Sequence, residues 1–199
     1  MSLPLRRSTR SSTQSSRSKL LRCWHEPLTM TVGGLLIAMG VRSAIASPVY
    51  IPSESMQPTL AVNDTLLTEK LSYHFHAPVR GDIVVFAAPT QTLAACHVAP
   101  GTRIDLIKRV VAVAGDHVAI SSGQIFVNGQ PLKEPYVQAQ PNYEMTASTV
   151  PPQSVFVLGD NRNNSCDSHI WGALPVQAIE GRAILRFWPP ARIGLLSQR

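Results

Sequence analysis

The chain has 199 residues, an apolar fraction of 44% and a formal charge of +6, which suits one sizeable domain plus an appendage with an ordinary core. The charge is concentrated at the start: Arg6, Arg7, Arg10, Arg17, Lys19 and Arg22 precede any acidic residue, and the other Lys and Arg balance the 12 acidic residues. The remaining body is therefore neutral, and the basic face that a nucleic-acid binder needs is not indicated.

Residues 1–26 read as a disordered basic cytoplasmic tail, rich in Ser, Thr and Arg with no periodic apolar pattern. From Leu28 to Ile45 the chain runs LTMTVGGLLIAMGVRSAI between Pro27 and Pro48. As a helix this stretch spans about 27 Å, just short of a hydrocarbon core of roughly 30 Å. Arg42 sits near one end, where its side chain can snorkel to the headgroups. We therefore assign 27–47 as one N-terminal transmembrane helix. The positive-inside rule then puts 48–199 on the extracytoplasmic side of a plasma or thylakoid membrane. A basic start followed by a short apolar run and Ala44-Ile45-Ala46 also fits a cleaved export signal. Both topologies export the same domain.

That domain is predicted to be mainly β. The runs Thr65–Tyr73, Asp82–Phe86, Ile104–Ala114, His117–Ile120, Ile125–Asn128, Val155–Leu158 and Arg182–Phe187 are short, rich in Val, Ile, Leu and Phe, and separated by turn residues. Ser121-Ser122-Gly123 predicts a hairpin, and Asn128-Gly129 supplies the positive φ values of a tight turn. The Pro-rich stretch 131–153 reads as a loop excursion. Three cysteines make no disulfide framework. Cys23 falls on the cytoplasmic side, so Cys96 and Cys166 are the one pair that could join, and ordinary free thiols are expected. His74-Phe75-His76 would present both imidazoles on one strand face, but no zinc-ligand spacing completes them. The expectation is no metal and no cofactor.

Two residues carry chemistry. Ser55 lies in Pro52-Ser53-Glu54-Ser55-Met56, where an extended chain turns, and Lys108 lies among Ile104, Leu106, Ile107, Val110, Val111 and Val113. A serine hydroxyl needs a base, and a lysine serves only when neutral. At pH 7 roughly one free lysine in 2,500 is neutral, but burial can lower its pKa by about 3–5 units. Strand alternation puts Leu106, Lys108, Val110 and Ala112 on one face and Ile107, Arg109, Val111 and Val113 on the other. Lys108 is thus predicted in apolar company, and Arg109, which stays charged, requires a carboxylate.

The blocks Pro52-Ser53-Glu54-Ser55-Met56-Gln57-Pro58-Thr59-Leu60, Gly81-Asp82-Ile83-Val84-Val85-Phe86, Ile107-Lys108-Arg109-Val110-Val111 to Gly115-Asp116, and Gly159-Asp160-Asn161-Arg162-Asn163-Asn164-Ser165 with Asp167-Ser168 and Trp171-Gly172 resemble type I signal peptidases. The similarity runs from about residue 28 to the C-terminus. With Asp167-Ser168-His169 and Arg186-Phe187-Trp188-Pro189 it is most like the cyanobacterial and thylakoid branch. The resemblance implies a folded β-sheet catalytic domain and a membrane-bound serine endopeptidase with a Ser-Lys dyad. Such an enzyme removes signal peptides from exported preproteins after Ala-X-Ala-type sites.

By the same resemblance Ser55 is the nucleophile and Lys108 the base, and the oxyanion is held by the Ser55 N–H and the Ser53 hydroxyl. Ser165 hydrogen-bonds the Lys108 amine, Asp160 pairs with Arg109, and Asp167 pairs with His169. That histidine stands where many members carry arginine. It is shorter and titratable, so its contact with Asp167 is expected to weaken as the ring loses its proton. Ile51, Met56, Ile83, Val85 and Leu106 are candidates for the substrate pockets, and Trp171, Phe187 or Trp188 for contact with lipid. The implied partners are preproteins and the bilayer, with no nucleic acid; nothing in the sequence specifies an oligomer.

Three other functions compete. A self-cleaving repressor-type protease would carry a DNA-binding helical module in place of the apolar anchor. A Ser-His-Asp hydrolase of Ser55, His169 and Asp167 requires two residues on one extended strand to meet end-on, which such spacing disfavours. A non-catalytic tethered β module is the third.

Overall fold

A computed structural model describes residues 30–34, 45–89, 94–96, 99 and 104–196. The chain divides into two compact units, Met1–Ser43 and Ala44–Arg199. In the first, residues 30–34 of the predicted span are helical; the predicted tail and most of the rest of that span lie outside the described residues. Among those described, no helix is long and apolar enough to cross a membrane.

The second unit is built of antiparallel strands in two sheets. The larger sheet runs in the order β1 (Ala46–Tyr50), β2 (Thr65–Glu69), β11 (Ile179–Trp188), β3 (Ile83–Ala87), β4 (Asp105–Val113), β9 (Ser154–Leu158) and β10 (Leu174–Pro175), with β12 (Gly194–Leu195) paired to β11. The smaller runs β7 (Gln130–Pro131), β6 (Gln124–Val127), β5 (His117–Ser121) and β8 (Met145–Thr149). The two predicted turns form as expected. Ser122 and Gly123 close the β5–β6 hairpin at φ 52° and 74°, and Asn128 and Gly129 turn β6 into β7 at φ 54° and 75°.

β4 positions the site, and its side chains explain its place at the centre. Six consecutive residues from Ile107 to Ala112 are buried, so both faces of this strand are covered, as in a strand flanked by core on each side. The predicted alternation holds as far as Val110. There β4 bulges against β9, because Val110 pairs with Val157 while Ala112 pairs with Phe156. The extra residue, Val111, reverses the parity beyond it. Ala112 therefore joins Val111 in the core over the small sheet, and Val113 joins Leu106 and Val110 in another cluster.

Four further predictions are corrected. The run Thr65–Tyr73 is a strand only to Glu69; Ser72–Phe75 is a short helix, because the Glu69 carboxylate accepts the N–H groups of Leu71 and Ser72 at 3.1 and 2.9 Å. His74 and His76 consequently share no strand face. Ala46 and Ser47, assigned to the anchor, lie in β1 opposite Glu69 and Thr68. The excursion 131–153 contains β8, whose mostly exposed residues leave no apolar alternation to read. Finally, Cys96 and Cys166 are a disulfide, not free thiols, with Cα atoms 5.8 Å apart.

Candidate active site

The turn after β1 is fixed from beneath. Ile51, Met56 and Leu60 are buried together with Leu66, Ile83 and Ile107. Ile51 N–H donates to the Asp64 carbonyl and Asn63 N–H to the Ile51 carbonyl, each at 2.9 Å, while Leu60 N–H reaches Met56 O at 2.9 Å. With the apolar side chains pinned inward, Ser53 and Glu54 face outward and Ser55 sits at the boundary, 8% exposed.

Lys108 lies opposite Val84 across the β3–β4 ladder and is 2% exposed. Its Nζ donates to Ser55 Oγ at 2.8 Å and to its neighbour's carbonyl, Ile107 O, at 3.0 Å. Burial drives its pKa from 10.5 down to about 8 against the opposing pull of Asp167 and Asp160. The Ser53 hydroxyl stands 3.3 Å from Ser55 Oγ. These two side chains and the lysine line a cavity of about 350 Å³ with Glu54, Leu106, Asn164 and the Cys96–Cys166 disulfide. Of the apolar residues predicted to shape the pockets, Leu106 lines it; Ile51, Met56, Ile83 and Val85 are packed in the core.

The segment after β9 clasps this pair. Gly159 is required by close approach, since a Cβ there would overlap the Ser55 carbonyl and lie 2.6 Å from Ser165 Cβ. Asn161 N–H donates to Ser55 O at 3.0 Å. Asp160 takes Arg109 Nε at 2.9 Å, Arg109 Nη2 at 2.7 Å and Thr59 Oγ1 at 2.5 Å. The arginine's carboxylate partner is thus the predicted one.

Asp167 accepts Gly159 N–H at 2.8 Å with one oxygen and meets His169 Nδ1 at 2.6 Å with the other. The contact that the resemblance implies forms where Asp167 caps a short helix, Ser168–Trp171, so the extended strand assumed in weighing a Ser-His-Asp arrangement is not present. The His169 ring also stacks on Tyr143, with centroids 4.0 Å apart. Among the described residues, however, the groups hydrogen-bonded to Ser55 Oγ are Lys108 and Ser53. Ser165 departs from expectation: its Oγ is buried against the glycine without a hydrogen-bond partner among the described residues, and the lysine amine bonds elsewhere.

Several contributors were missed. Arg162 is buried, donates to Gly159 O at 2.9 Å, and holds Glu134 through two bonds of 2.6 and 2.7 Å. Tyr136 donates to Glu134 at 2.8 Å and lies 3.9 Å beneath the Arg109 guanidinium. The excursion therefore braces the strand that carries Lys108. A Glu-Pro-Tyr within a proline-rich stretch was the available signal. Of the aromatics considered for lipid contact, Trp188 and Phe187 are exposed, whereas Trp171 packs on Phe86.

A family model described as "Signal peptidase, peptidase S26" matches residues 24–188. The chain is 50% identical over 167 residues to a signal peptidase I of Leptolyngbya laminosa, covering 83% of this chain and 81% of that protein. It is 46% identical over 174 residues to a probable signal peptidase I-2 of Synechocystis, covering 87% and 78% respectively. It is also 42% identical over 176 residues to a thylakoidal processing peptidase 1 of Arabidopsis thaliana, covering 88% of this chain and 52% of that longer protein. A serine and a buried lysine in hydrogen-bond contact, on a mainly β scaffold shared in sequence with these proteins, place this chain in the signal peptidase family, peptidase S26.

Proposed function

We propose that this chain is a membrane-bound endopeptidase that removes signal peptides from exported preproteins after Ala-X-Ala-type sites, using Ser55 and Lys108 as a dyad. The observation that carries this reading is the 2.8 Å contact between Lys108 Nζ and Ser55 Oγ at a buried amine. With Lys108 neutral, the contact runs with the serine hydroxyl donating. As Ser55 Oγ attacks the carbonyl before the cut, its proton passes to Nζ. The tetrahedral oxyanion takes hydrogen bonds from Ser55 N–H and Ser53 Oγ. The ammonium returns a proton to the leaving amine, and a water repeats the cycle on the ester, freeing the acid and Ser55.

The substrate strand fits beside β4. β9 pairs with β4 from Arg109 onward, so Leu106 and Lys108 border the cavity on the side away from β3. Leu106 and the rigid disulfide favour small side chains there. In this reading 27–45 is a single-pass anchor with a cytoplasmic N-terminus, and the catalytic unit lies outside a plasma or thylakoid membrane. A cut after Ala46 would fall within β1, whose Ala46 and Ser47 are paired to β2, which favours a retained anchor.

A fluorogenic peptide with Ala at the first and third positions before the cut tests the reading. It should be hydrolysed in detergent, and leucine at the first position should lower kcat/KM by about 100-fold. The rate should rise with pH through a midpoint near 8, as Lys108 loses its proton; a midpoint near 10 would refute a desolvated base.

His169→Ala separates the dyad from a Ser-His-Asp arrangement. Because His169 acts on Asp167 and Tyr143, its loss should lower kcat by about tenfold, well short of the 10²–10⁴ for removal of a general base. Complete loss with unchanged stability would favour the histidine mechanism.

A further inference from the structure

The peptide bond between Glu54 and Ser55 is planar, so the Glu54 carbonyl and the Ser55 N–H are two ends of one rigid unit. Whatever fixes the carbonyl aims the N–H. Glu54 O accepts two hydrogen bonds, from Gln57 N–H at 3.0 Å within the turn and from Asn161 Nδ2 at 3.2 Å from outside it. The next peptide unit is held by the same residue, since Asn161 N–H donates to Ser55 O at 3.0 Å. Asn161 therefore grips the backbone on both sides of Ser55, with its side chain on one unit and its main chain on the other.

Its own position is well fixed. It follows Asp160, which is bound to Arg109 on the lysine's strand, and it opens the 3-10 turn Arg162–Asn164, whose Asn164 N–H returns to Asn161 O at 3.0 Å. The strand that carries Lys108 and the turn that carries Ser55 are thereby registered through one asparagine. Hydrogen bonds to a carbonyl also polarise its amide and strengthen the N–H at the other end.

We infer that Asn161 is the positioning residue of the oxyanion site: its side-chain amide sets and polarises the Glu54–Ser55 peptide so that Ser55 N–H points at the developing charge. The inference rests on the serine-lysine reading above. It concerns a donor that acts in the transition state, so it predicts an effect on kcat with little on KM.

The experiment uses the full chain in detergent with the Ala-X-Ala peptide and a peptide aldehyde of the same sequence, whose adduct with Ser55 carries a tetrahedral oxygen. Asn161→Ala keeps the main-chain bond to Ser55 O and removes the bond to Glu54 O. It should lower kcat by about 10- to 100-fold, below the 10²–10³ for outright loss of an oxyanion donor, and weaken the aldehyde in proportion. KM should change less than about threefold and the pH midpoint near 8 should stay, because Lys108 keeps its surroundings. Asn161→Asp, nearly isosteric but unable to donate when ionised, should lose at least as much. Should Asn161→Ala fold poorly, Asn161→Asp supplies the same comparison.

A kcat within twofold of wild type in both variants would overturn the inference. So would a loss confined to KM, or one in which kcat falls while aldehyde affinity is kept. Ser55→Ala is the control: activity surviving in it would refute the dyad reading itself, whereas an inactive Ser55→Ala beside a normal Asn161→Ala refutes the role of Asn161 alone.

Discussion

Lys108→Met should abolish cleavage and at the same time stabilise the fold at neutral pH. The activity arm follows from the loss of a general base, worth about 10²–10⁴-fold. The stability arm follows from burial. In the folded chain the amine is 2% exposed and its pKa falls from 10.5 to about 8, with burial as the leading cause. Below pH 8 the folded state must hold a desolvated ammonium that the unfolded chain leaves in water. At about 1.4 kcal/mol per pK unit, this costs roughly 3 kcal/mol.

The sign of the pH dependence is fixed by which state binds more protons. Between pH 8 and 10.5 the unfolded lysine is still protonated while the folded one is not, so this group makes stability rise with pH across that window. Methionine removes the group and the rise with it. Its advantage should be full below pH 8, about 1–3 kcal/mol once the lost bonds to Ser55 Oγ and Ile107 O are subtracted, and should vanish by about 10.5. Denaturant unfolding at pH 7 and pH 10.5 measures both ends. An advantage of the same size at both would mean that the lysine is not strained by burial in the native state.

Much of this site was legible because its physics is local. The β-branched runs of β3, β4 and β9 announced a buried sheet, and a lysine in the middle of one announced a perturbed amine. Ser55 was legible because prolines at 52 and 58 exclude a helix around it, and Arg109 because a buried guanidinium demands an acid. What escaped depended on partners distant in the chain. The two cysteines are 70 positions apart, and nothing in their spacing shows that the connection between β3 and β4 and the segment after β9 bring them together. The bulge at Val111 is decided by the register against β9, so strand alternation misassigned Ala112 and Val113. The helix Ser168–Trp171, on which the expected Asp167–His169 contact forms, is marked by no apolar period over its four residues. Glu134 and Tyr136 were hidden in a proline-rich stretch whose value lies wholly in what it touches.

Asp160→Ala should be the most destabilising single change at the site, by about 3–5 kcal/mol. Asp160 and Arg109 are each 1% exposed, and the carboxylate takes two guanidinium bonds and the Thr59 hydroxyl. Removing it takes both carboxylate bonds from a buried guanidinium that also donates to the Gly81 carbonyl at 3.0 Å and faces the Tyr136 ring, both of them uncharged groups. The cost lies in keeping the guanidinium buried once its carboxylate is gone, more than in the pair itself. Arg109→Met added to Asp160→Ala should therefore recover part of the loss, giving a double variant less damaged than the sum of the two single changes. Asp160→Asn tests the electrostatic link to catalysis. Asp160 pulls the Lys108 pKa upward, behind Asp167, so neutralising it should move the acid limb of the rate profile below 8. Urea midpoints of the three stability variants, with a rate profile for Asp160→Asn, decide the matter. Additive losses would show that Arg109 and Asp160 do not act as a buried pair, and an unmoved acid limb would show that the carboxylate supports only the fold.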